Sequence, residues 1–264
     1  MIVMVSPVFI ATSAVAALTY LALAVGRRGL GHAVARALFA LAWFSHAASL
    51  LSFWITEPGR FGFSIALSAM AWMVSTLYAI ESRIYPQLHA RWELTSLGAA
   101  AVILSMILPG QVHTQLASPW LTLHWVIGFV AYAAIAAAVL HGWLMLRAEA
   151  AMRSAATSDT GLPLLALERL TFRFLAVGVA LLTLTLVVGI GFSKAWFGVH
   201  LRWDHKTILS IVAWAILTRL WVLRRWRGIR GRAAVMQLYA GAVVLLLSYV
   251  GSRFVSEVLL QHAS

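Results

Sequence analysis

The chain has 264 residues, 62% of them hydrophobic and only 11% charged, with a mean hydropathy of +0.89. A soluble domain carries roughly twice that charge fraction, so composition excludes one and leaves an all-α, polytopic membrane helical bundle. The net charge of +12 and isoelectric point near 11.4 would point to nucleic acid in a soluble chain, while the absence of cysteine excludes disulfides, thiolate metal sites and thiol chemistry.

Apolar runs near 20 residues, the length a helix needs to cross a bilayer, predict eight spans: 4–25, 34–55, 62–83, 94–110, 120–146, 172–192, 207–223 and 234–256. Together they form a single integral membrane domain over 1–264. The first span has no basic segment before it and no small-residue cleavage site after it, which reads as a retained helix and not a signal peptide. Turn chemistry marks the breaks: Gly26 to Gly31, Glu57-Pro58-Gly59, Pro86, Pro109-Gly110, and Ser154 to Gly161 with Pro163. The segment 147–171 is predicted as the longest loop, a flexible connector between a four- or five-helix front part and a three-helix back part. Ala131 to Ala138 in the fifth span suit close helix packing.

Charge orients the spans. Fifteen of the 20 Lys and Arg fall in the first, third, fifth and seventh connections, among them Arg27, Arg83, Arg147 and the cluster Arg219 to Arg232. Arg60, Lys194, Arg202, Lys206 and Arg253 lie on the other side. The positive-inside rule then turns both termini and the sixth connection outward. Basicity becomes a signal of topology, which removes the nucleic-acid reading, and the 219–232 cluster can also meet anionic lipid.

That sixth connection, Trp196 to Lys206, is an aromatic and polar island between two apolar segments. His200 and His205 lie in it; His124 opens the fifth span and His262 follows the last one, all on the outward face with Trp120, Trp125, Trp196 and Trp203. An aromatic floor with imidazoles above it suits a flat, apolar macrocycle whose iron takes axial nitrogen ligands. Belt anchoring also explains Trp54, Trp120, Trp125 and Trp143. His46 lies mid-span, as a ligand or bonded to a neighbouring helix; His141, deep in the fifth span, reads as a structural histidine. Asp204 is placed to cap the seventh helix. Glu81, near the inner end of its span, is placed to snorkel, and no acidic residue falls at mid-membrane depth, which weakens an ion-coupled transporter.

The stretch FGVHLRWDHKTILSIVAWAI resembles a degraded form of the WGxxWxWDPKE signature of cytochrome c assembly proteins of the CcsA and CcmC type. Gly198, Trp203, Asp204 and Lys206 match it, and Trp214 matches a tryptophan of the helix that follows. Phe197 and Leu201 stand where tryptophans are expected, His205 replaces the proline and Thr207 the glutamate. The back half is similar to the eight-span YpjD-type branch, with HemX-type proteins related; the resemblance covers nearly the whole chain and is strongest over 118–257. It maps the family's outward heme-facing histidine onto His124 and its transmembrane histidine onto His46. Two further family histidines fall on Val222 and near Leu260, two residues from His262.

The resemblance implies a heme-handling protein of a bacterial inner membrane that partners apocytochrome c or other assembly proteins. His124 would give one axial nitrogen and His262, His205 or His200 the second; Trp203 and Phe197 would stack on heme, Arg202 or Lys206 would meet a propionate, and His46 would hold heme in transit. No nucleophile, acid–base pair or nucleotide loop is present, so a binding or assembly protein is expected in place of an autonomous enzyme. The alternative, favoured by the missing tryptophans and histidines, is a regulatory or scaffold membrane protein that binds no heme, HemX-like or the partner of a transporter.

Overall fold

The computed structural model describes residues 6–26, 29–57, 60–85, 91–108, 110–112, 119–154, 162–198 and 203–255. Eight helices follow one another: α1 (Pro7–Val25), α2 (His32–Thr56), α3 (Phe63–Ile84), α4 (Arg91–Ile107), α5 (Pro119–Arg153), α6 (Leu164–Phe197), α7 (His205–Arg227) and α8 (Gly231–Leu246). The last runs into a π-helical turn at Leu247–Gly251 and a short helix, α9 (Ser252–Phe254). Seven of the helices are long and apolar enough to cross a membrane, while the apolar part of α4 is shorter, Leu94–Ile107. The chain is a multi-span membrane protein. Large apolar side chains such as Leu18, Phe44, Ile55 and Val187 point outward, as a surface solvated by lipid allows.

All eight predicted spans are helices and seven of them are long enough to cross, with two further corrections. Residues 147–171 are not one loop: α5 continues to Arg153 and α6 already begins at Leu164. Helix survives past the apolar stretch because the extra turns are held by their own contacts. Arg153 pairs with Glu149 at 2.6 Å, four residues away on one face, and Leu167 and Leu170 are buried. The second correction concerns the break in the chain. Among the described residues two compact units divide within the last turn of α3 and again before α5, one holding 6–80 and 91–112, the other 81–85 and 119–255.

In the first unit α1 packs against both α2 and α4, around Tyr20, Ala16, Ala17, Ala42, Ala99 and Val102. Small residues let the backbones approach, and Gly98 is where this is most demanding: a Cβ there would stand 3.1 Å from the Tyr20 ring. Trp43 and Trp72 stack at 5.1 Å, and the Trp43 indole donates to Thr76 Oγ1 at 2.8 Å. A two-residue antiparallel pairing, β1 (Arg60–Phe61) with β2 (Gln111–Val112), joins the connections after α2 and α4.

In the second unit α5 and α6 pack along their length, and α7 and α8 close a core that includes Ala131, Ile135, Leu175, Leu182, Ala213, Leu217 and Leu238. The Ala-rich face of α5 serves packing, as its composition implies. Buried polar groups in the bilayer need partners, and several here are paired across helices. The Trp214 indole donates to Thr183 Oγ1 at 2.8 Å. The Tyr132 hydroxyl donates to the Leu245 carbonyl at 2.8 Å and lies 2.9 Å from Ser248 Oγ, just where the helix widens into its π turn. At the other end Glu168 of α6 takes Arg224 of α7 at 2.7 Å, with Arg230 at 3.7 Å. Gly228, in the left-handed conformation at φ +65°, ends α7 there.

Candidate functional site

The site assembles at the end of the second unit where α5 begins, α6 ends and α7 begins. His124 lies in the second turn of α5, half-buried. Its ring rests against α6 at Gly189, where an added Cβ would come within 3.0 Å of the imidazole Cε1. The missing side chain makes a niche for the ring, and a hydrogen bond to the Thr185 backbone helps to orient it. One turn earlier, Trp120 stacks on Phe192 at 5.2 Å and 14° between planes, with more than half of its surface open. The α5–α6 seam therefore ends in an aromatic pair beside a held imidazole.

The entry to α7 is built by Asp204. Its Oδ1 accepts from both the Thr207 backbone N–H and the Thr207 hydroxyl, each at 2.9 Å, which caps the helix as the sequence indicates. Trp203, immediately before the cap, is 70% exposed. A fixed carboxylate followed by a fixed helix thus holds a large aromatic side chain out from the protein. His205 is exposed and Lys206 half-buried in the first turn of α7. Phe197 is the last residue of α6, and Gly198 turns the chain at φ +74°, a conformation glycine tolerates and other residues rarely adopt. The side chain of Phe197, together with His200, Arg202 and His262, lies outside the described residues.

An Asp204→Ala substitution is expected to cost about 0.5–2 kcal/mol of local helix stability. Amide exchange at Thr207 should rise while exchange in the middle of α7 stays unchanged; equal exchange at Thr207 in the two proteins would refute the cap.

His46 belongs to the first unit and is fully buried. Its Nε2 lies 2.9 Å from Ser68 Oγ and its Nδ1 3.4 Å from the Tyr20 hydroxyl. Glu81 does not snorkel: it is 6% exposed and faces His141. Sequence reasoning missed Gly189, Thr185, Phe192 and the partners of His46. A glycine inside an apolar helix, such as Gly189, is the one local signal that a close neighbour awaits.

A family model described as Cytochrome C assembly protein matches residues 32–260. The chain belongs to this family. Among relatives of this cytochrome c assembly protein, the inner membrane protein YpjD of Escherichia coli (strain K12) is 29% identical over 212 residues, covering 78% of this chain and 80% of its own. A cytochrome c biogenesis protein CcsA of Synechococcus sp. (strain CC9902) is 26% identical over 252 residues, with 83% of each chain covered. A 28.8 kDa protein of Azospirillum brasilense is 28% identical over 238 residues, covering 88% of this chain and 83% of that one. No solved structure matches. The matched span takes in α2 to α8, and so includes His46, His124 and the Trp203–Asp204 pair.

Proposed function

We propose that this cytochrome c assembly protein binds heme at the α5–α6–α7 end of its second unit and passes it to an acceptor, apocytochrome c or another assembly protein. The observation that carries the reading is the glycine niche: Gly189 leaves room for the His124 ring, which is held against α6 beside the exposed aromatic surface of Trp120. A histidine oriented through a backbone hydrogen bond is the usual arrangement of an axial or metal-bound imidazole. The residues fit the group: His124 for an axial nitrogen, Trp203 and Trp120 for apolar stacking, and Lys206 for a propionate. Asp204 is engaged by Thr207, which supports a positioning role for it. Bound heme would supply the iron that the acceptor needs; the chain's part is to hold, shield and release it. His262, His205 and His200 are the candidates for the second axial nitrogen, and Phe197 for a further stacking contact. The reading places both termini and this end of the unit on the outer side of a bacterial inner membrane, from the distribution of Lys and Arg.

One observation favours the second reading, a regulatory or scaffold protein without heme. Both ring nitrogens of His46 face hydroxyl groups of the protein itself, which supports a structural role for that histidine in the first unit. The absorption spectrum of the purified protein in mild detergent, with heme quantified, separates the two. A Soret band at one heme per chain, lost or shifted in His124→Ala, is the expected result. A colourless wild type that takes up no added heme would end the heme reading and leave the scaffold.

A further inference from the structure

A second buried histidine lies outside the site just described. His141, on α5, has no exposed surface, and Glu81, in the last turn of α3, has a side chain only 9% exposed. Both belong to the second unit. The His141 Nδ1 is 2.7 Å from the Ala137 carbonyl, one turn earlier in α5. A carbonyl only accepts, so Nδ1 carries a hydrogen. That fixes the tautomer and leaves Nε2 as the atom facing Glu81 Oε1 at 3.3 Å. Neither of these two atoms has a hydrogen-bond partner among the described residues, and their 3.3 Å approach is a contact at ion-pair distance without hydrogen-bond geometry. Phe174 of α6 stacks on the imidazole at 5.4 Å and 20° and closes its face.

Two bare lone pairs opposed at that distance, in a place that water does not reach, would leave two acceptors unsatisfied and a charge uncompensated. One proton relieves both. It sits either on the carboxyl, donated to Nε2, or on Nε2, donated to the carboxylate, and in both forms the pair has no net charge. A metal ion would need further donors, and no group of three or more metal-binding side chains occurs among the described residues. We propose that Glu81 and His141 form a buried proton-binding site that holds one shared proton between Oε1 and Nε2 within the membrane-spanning part. Glu81 keeps the pair's small exposure and His141 has none. An ionisable pair buried between membrane helices is a functional feature more often than a structural one, and this one lies outside the heme site proposed above.

Nitrogen-15 NMR of ring-labelled histidine, read with infrared spectra of the carboxyl region, tests this on the full-length protein in detergent. The wild type is expected to show one of two signatures: an imidazolium His141 with an ionised Glu81, or a neutral His141 with a protonated carboxyl band. Glu81→Gln keeps the shape and offers an amide N–H to Nε2, so it should fold and remove either signature. His141→Gln assigns the same signals from the other partner should the first variant fail to fold. A neutral imidazole with a bare Nε2 beside an ionised Glu81 in the wild type would overturn the proposal.

Discussion

Gly178→Ala is expected to lower the thermal midpoint of the detergent-solubilised protein, and Gly178→Leu to prevent recovery of folded protein. A Cβ on Gly178 would lie 2.4 Å from Ile135 Cδ1, 2.8 Å from its Cγ1 and 3.4 Å from its backbone nitrogen. Both clashing atoms belong to the side chain and move only if Ile135 changes its χ1 rotamer in a filled core, so the contact is relieved by rotamer strain or by a slight separation of the two helices. Ile135 is a fully buried member of the core that α5 and α6 share with α7 and α8. Overpacking of this kind costs about 1–3 kcal/mol for a small group and more for a large one. In lipid the loss is felt in full, because close packing and not water exclusion holds such helices together. Tryptophan fluorescence during heating provides the readout; an unchanged midpoint in Gly178→Ala would mean that the α5–α6 approach is looser than the structure has it.

The second large effect is at His46. Removing the ring with His46→Ala leaves a cavity, strands the Ser68 hydroxyl, which lies 2.9 Å from Nε2, and takes away the longer 3.4 Å contact of the Tyr20 hydroxyl, which keeps Ser75. A stranded buried hydroxyl costs about 1–3 kcal/mol and the cavity left by a buried ring adds to it, so the first unit should lose about 2–5 kcal/mol. His46→Gln, which retains a donor and an acceptor, should lose clearly less. The pair of variants also bears on function. A histidine that serves only to carry heme would give a stable, folded His46→Ala protein with altered colour. A structural histidine would give the reverse, a heme-to-protein ratio unchanged in whatever protein folds.

The spans were legible because length and hydropathy alone decide whether a helix crosses a membrane. Asp204 was legible too, since a cap is a local device and its partner Thr207 is three residues away. What escaped was what depends on distant residues. Glu81 sits near the end of an apolar run, and nothing near it in sequence announces that His141, sixty positions on, meets it inside the unit. The ends of α5 and α6 escaped for a different reason. Their charged turns interrupt the apolar pattern without interrupting the helix, so Arg153 looks like loop until its pairing with Glu149 is seen. The niche at Gly189 combines both difficulties, being a small residue on one helix whose meaning is a ring on another.

The unequal helix lengths carry a consequence of their own. With 35 and 34 residues, α5 and α6 are each about 50 Å long, against a hydrocarbon layer of about 30 Å. Such a pair meets a thicker bilayer by standing more upright and a thinner one by tilting, at little energetic penalty. The 17 residues of α4 reach only about 25 Å, and α4 has no such reserve. Hydrophobic mismatch in a thick bilayer thus falls on α4, where lipid must thin locally or the flanking polar residues must be drawn inward. Acyl-chain length becomes a variable that acts on α4 while leaving the α5–α6 pair in register.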